Sequence, residues 1–118
     1  MYSNAVLDHF QHPRNSGDLP GAIATVEVSN PVCGDILRLA VIVSGGRIAE
    51  ARFLTRGCVT AIAASSLLTE LLRGRTPAEA RAITPEQISL GLGGLPPATY
   101  HAAQLAADAL AAVLAQPR

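Results

Sequence analysis

From Ala24 to Thr55 apolar and polar residues alternate, and after Gly57 the alternation gives way to a helical repeat; no other feature constrains the fold of this chain as tightly. Ala24, Val26 and Val28 face away from Thr25, Glu27 and Ser29 until Asn30-Pro31 stops the strand. A second strand starts at the Cys33-Gly34-Asp35 turn, with Leu37, Leu39, Val41 and Val43 on one side. Ser44-Gly45-Gly46 supplies a hairpin turn into a third strand, Arg47 to Thr55, whose wetter side carries Glu50 and Arg52. Three short strands joined this way form an antiparallel meander.

The helices bracket those strands. Residues 3 to 12 read as a docking helix, with Ser3 or Asn4 as N-cap, Val6, Leu7 and Phe10 as its apolar side, and Pro13 ending it. Beyond Gly57, Ala61, Ala64, Leu68, Leu71 and Leu72 form one stripe that Gly74 terminates. Thr76-Pro77-Ala78-Glu79 and Thr84-Pro85-Glu86 each open a brief surface helix, and a last helix follows Pro97 to about Leu114, burying Ala106, Leu110, Val113 and Leu114. The expected fold class is α+β, a two-layer single domain over residues 1–118 in which a three-stranded antiparallel sheet packs against helices.

Composition narrows function by exclusion. Nine basic and nine acidic residues leave no net charge to attract nucleic acid or an anionic membrane. An aromatic content of 3% offers little stacking surface for sugars or single-stranded bases. Two cysteines, no leader pattern and no apolar run of about 18 residues fit a reducing compartment, so a cytoplasmic location is expected.

The chemistry-bearing residues lie at loops and helix starts. Gly34 allows a tight turn that sets the Cys33 thiol and the Asp35 carboxylate on one side. Cys58 sits at the N-terminus of the long helix, where unpaired N–H groups favour a thiolate, and His101 opens the final helix. Sulfur, oxygen and nitrogen donors of this kind suit iron or zinc. The same residues also fit a structural role, with buried thiols, Asp35 capping a turn and His101 starting a helix. His9 and His12 read as surface residues of the first helix.

Four stretches, YSNAVLDHFQHPRN, NPVCGD, ARFLTRGCVTAIAASSLLTELLRG and LPPATYHAAQLAADAL, occur in this order along nearly the whole chain. The sequence resembles the U-type iron–sulfur cluster assembly scaffolds, the family of IscU, SufU and the N-terminal domain of NifU. The resemblance implies a SufE/NifU-like fold and a scaffold or carrier, not an enzyme, that holds iron or a labile [2Fe-2S] cluster at Cys33, Asp35, Cys58 and His101. It implies a cysteine desulfurase, an iron donor and recipient apoproteins as partners. The family's third cysteine falls on Ala102, which removes a cluster ligand and persulfide acceptor. Ala98 and Thr99 likewise replace two residues of the family's LPPVK chaperone motif, so a chaperone hand-off is not implied as the other partners are. A zinc-dependent sulfur relay of the SufU kind and a metal-free partner of a desulfurase are the alternative readings.

Overall fold

The computed structural model describes residues 2–31 and 34–116. Strands β1 (Ala24–Asn30), β2 (Asp35–Ser44) and β3 (Arg47–Arg56) form an antiparallel sheet in the order β1-β2-β3. Around it lie helices α1 (Asn4–Gln11), α2 (Val59–Leu72), α3 (Pro77–Arg81), α4 (Pro85–Gly91) and α5 (His101–Ala115). The expected α+β arrangement, with its sheet-and-helix layers, is therefore observed.

Register follows from the alternation. Val26 pairs with Leu39 and Leu39 with Phe53, so the apolar sides of the three strands fall on one face. The β2–β3 hairpin turns through Gly45 and Gly46, whose φ values of 61° and 76° are those of a two-residue primed turn. A register shift between Ile42 and Val43 adds a bulge that periodicity did not foretell. Leu37 and Leu39 on the sheet meet Leu68 on α2 and Ala106 on α5 in one hydrophobic cluster.

Helix α2 is the central element, packing against α1, β3 and α5. It buries more than the single stripe expected: Ser65, Ser66 and Thr69 are all inaccessible. Their hydroxyls find partners within the layer, Ser65 Oγ donating to Ala61 O at 2.7 Å and Thr69 Oγ1 to Ser66 O at 2.7 Å, so these polar positions can lie inside. Both short helices are held by the capping boxes that their Thr-Pro starts predict, Thr76 with Glu79 and Thr84 with Gln87.

Helix α1 corrects the sequence reading twice. Ser3 caps it as expected, accepting from Val6 N at 3.1 Å. The docking face, however, is Val6 and His9, while Leu7 and Phe10 are 36% and 38% exposed. His9 is therefore no surface residue. It is buried against α2, its Nδ1 2.8 Å from Ser66 Oγ, because an i, i+3 pair faces α2 and the Ser66 hydroxyl satisfies the ring. Among the described residues no helix is long and apolar enough to cross a membrane.

Candidate metal centre

Three elements bring their ends together at one edge of the domain. Asp35 is the first residue of β2, paired with Asn30, and lies on the sheet face that also carries Leu37. It is 3% exposed. Ahead of it, Gly34 takes a φ of 73° and donates its N–H to Asn30 O at 2.7 Å, closing the turn that glycine allows.

Cys58 is the N-cap of α2, and its sulfur accepts the Ala61 N–H at 3.4 Å. Its own N–H donates to Asp35 Oδ1 at 3.1 Å, while its Sγ lies 3.6 Å from Asp35 Oδ2. The approach is possible only because residue 57 is glycine: φ is +154°, and a β-carbon there would overlap the Asp35 carboxylate. Gly57 was not recognised as part of the site from sequence. Its place immediately before an N-cap thiol is the one signal that could have marked it.

His101 is the first residue of α5, with its Nε2 3.6 Å from Asp35 Oδ2. That nitrogen is buried and makes no hydrogen bond among the described residues. One donor atom each from Asp35, Cys58 and His101 lies within 4.8 Å of the others. Donors sharing one tetrahedral ion sit roughly 3–4 Å apart, so the set needs only a small contraction to grip a cation. Cys58 is exposed, so the centre meets solvent on the α2 side; a cleft of about 200 Å³ also lies beside His101, between Asn30 and Asp108.

The electrostatics differ from what a helix N-terminus suggests. Withdrawal of the Cys58 thiol from water pushes its pKa up; the Ala61 amide pulls it down, and the neighbouring Asp35 charge pushes it up again. With no cation bound the group rests as a thiol, and a bound cation would displace its proton. Cys33 lies outside the described residues. Ala102, beside His101, is 1% exposed and belongs to the hydrophobic cluster. The three other candidate ligands converge, then, and neither His9 nor His12 is among them.

Residues 1–117 match the family described as NifU-like N terminal domain. The chain belongs to this family. It is 47% identical to the iron-sulfur cluster assembly scaffold protein IscU 1 of Archaeoglobus fulgidus, over 93% of this chain and 72% of that protein. The IscU scaffold of Azotobacter vinelandii is 44% identical over 96% of this chain and 91% of its own. Among solved structures, SufU from Fervidobacterium islandicum superposes with a TM-score of 0.81 at 22% identity, covering 96% of both chains. The N-terminal part of a NifU-like protein from Brucella abortus gives 0.77 at 19% identity, over 95% of this chain and 90% of that one. At such identities these two structures speak to the fold alone.

Proposed function

We propose that the protein is a non-catalytic iron–sulfur cluster assembly scaffold or carrier whose cargo, iron or a labile [2Fe-2S] unit, is held by Asp35, Cys58 and His101 together with Cys33. The observation that carries this reading is the convergence within 4.8 Å of a carboxylate, a thiol and a buried imidazole nitrogen that has no hydrogen bond among the described residues. A structural cluster would leave no such nitrogen open. The relatives named as IscU scaffolds support the same reading.

Two thiolates and a carboxylate bring about −3, against about +2 for a divalent ion or an oxidised diferric core with its sulfides. The mixed donor set binds a cluster more weakly than four thiolates would, which suits delivery to recipient apoproteins. Each protein group has a task. Asp35, fixed by the Cys58 N–H, offers its second oxygen to the cargo; His101 Nε2 closes the set from α5. Cys58 Sγ is positioned by the Ala61 N–H. Sulfur would come from a cysteine desulfurase as a persulfide, which a two-electron donor reduces to the sulfide of the cluster, and iron from an iron donor, within the cytoplasm. The same donors fit zinc, in which case Cys58 or Cys33 would be organised for sulfur relay.

Anaerobic reconstitution with iron and sulfide, followed by metal counting and Mössbauer spectra, tests the reading. The expected result is a [2Fe-2S] signal that Cys58→Ser abolishes. Unchanged iron and zinc content in both Cys33→Ser and Cys58→Ser would sink it.

A further inference from the structure

The face of the sheet turned away from the helices carries a second concave site. Its residues are fixed by register: Arg52 on β3 pairs with Ala40 on β2, which pairs with Thr25 on β1, and Arg38 lies two residues from Ala40 on the same face. Residues 15–17 run beside β3, with Phe53 N donating to Asn15 O at 3.0 Å and Gly17 N to Phe53 O at 2.9 Å. The loop that continues from them walls a cleft of about 300 Å³ lined by Gly17, Asp18, Ala40, Arg38 and Arg52. Ala40 is only 5% exposed despite its outward position, so the cleft is built into the fold. It lies on the sheet face opposite Asp35, and roughly 10 to 17 Å farther along β2, from Arg38 to Ala40.

The charges in this cleft are unevenly matched. Arg38 is 3.3 Å from Asp18, whose side chain is 73% exposed, and 3.9 Å from Glu27. Arg52 is half-buried and has no carboxylate or hydrogen-bond partner among the described residues, and its Nε is shielded from water. A guanidinium partly stripped of water without a counter-charge is costly, and its planar fork matches an oxyanion. We propose that this cleft binds a small oxyanion ligand, a molecule carrying a phosphate or carboxylate group, with Arg52 as anchor and Arg38 as second clamp. Asp18 holds Arg38 when the cleft is empty and yields it to the ligand.

Titrating the isotope-labelled 118-residue chain with inorganic phosphate or with succinate at constant ionic strength tests the site by amide NMR. Saturable shifts at Gly17, Asp18 and Ala40, without shifts at Cys58, are expected. Saturation by phosphate alone assigns a phosphate ligand; saturation by succinate alone assigns a carboxylate ligand. Arg52→Gln should weaken binding by about tenfold or more. Asp18→Asn, a change at an exposed side chain, should tighten it several-fold by freeing Arg38. Linear, unsaturated shifts with both probes overturn the proposal, as does equal affinity in a folded Arg52→Gln protein. Should Arg52→Gln fail to fold, unchanged or weaker affinity in Asp18→Asn overturns it.

Discussion

His9 is buried, and His101, though partly exposed, has its Nε2 screened from water, yet their surroundings are opposite. Between α1 and α2, His9 Nδ1 meets Ser66 Oγ at 2.8 Å and Nε2 faces Glu70 Oε1 at 3.4 Å. Ser66 Oγ also accepts the Arg14 N–H at 2.9 Å, which leaves its own proton for Nδ1. At the sheet edge, His101 Nε2 lies 3.6 Å from Asp35 and makes no hydrogen bond among the described residues. The histidine that docks a helix is anchored by a hydrogen bond at Nδ1 beside its carboxylate contact at Nε2; the one assigned to the cargo has its carboxylate contact without a hydrogen bond at that buried nitrogen. Burial alone does not distinguish the two roles. Saturation does.

The contrast is broken most completely at Gly57. A methyl group there would occupy the space of the Asp35 carboxylate, and the φ of +154° strains any other residue. Gly57→Ala should lower cargo occupancy by more than about tenfold and cost on the order of 1–3 kcal/mol of stability. Reconstituted iron content and urea denaturation measure the two effects. A variant with wild-type iron content would show that Asp35 can leave Cys58 without consequence for the site.

Exchanging the roles of the two histidines is the next test. His9→Ala should cost about 1–3 kcal/mol, since it deserts Ser66 inside the α1–α2 seam, and leave metal content unchanged. His101→Ala should do the reverse, with stability altered by less than about 1 kcal/mol and cluster binding largely lost. Denaturation curves set beside metal analysis of the two variants decide it. Comparable stability losses in both would erase the distinction between a closed and an open histidine.

Acid sharpens the same comparison. Burial lowers the His9 pKa below its ordinary 6.5, with Arg14 adding to the shift and Glu70 opposing it. The folded seam thus prefers the neutral ring, and the unfolded chain binds the proton more readily. The stabilisation is complete above pH 6.5 and is lost as pH falls through the lower folded value. Between pH 7 and 5 the wild type should lose stability more steeply than His9→Asn, measured by urea midpoints. Parallel curves would mean that the ring takes up its proton as readily in the folded seam as in the unfolded chain.

Most of the fold was legible because local signals and global packing agree. The alternation set the strand faces, Gly45-Gly46 the hairpin and the Thr-Pro pairs the two short helices. Where a tertiary partner reverses a residue's ordinary preference, sequence reasoning failed. Ser66 makes a buried place for His9, and the hydroxyls of Ser65 and Thr69 let α2 bury positions that read as polar. At the site, residue types pointed to Asp35, Cys58 and His101. The role of Gly57 depends on a close approach between β2 and the start of α2, which no spacing in the chain encodes. The direction of the Cys58 shift was misjudged for a similar reason, because helix position is local while desolvation and the Asp35 charge come from the fold.

The smallest expected effect is at Ala102, beside His101 in the first turn of α5 and 1% exposed. Ala102→Cys introduces a third sulfur at the position where the U-type resemblance has a cysteine. Its added atom must enter a packed region, so a stability loss of about 1 kcal/mol is expected. Yet the N-cap of α5, Tyr100, makes no side-chain cap, and a shift of the first turn would bring the sulfur toward the Asp35–Cys58–His101 cluster. The expected outcome is a reconstituted cluster that survives longer in the presence of a chelator, together with persulfide uptake from a cysteine desulfurase. A folded Ala102→Cys protein with parental cluster lifetime and no persulfide would place residue 102 on the docking side of α5, with packing like that of His9, and leave His101 as the open group of that turn.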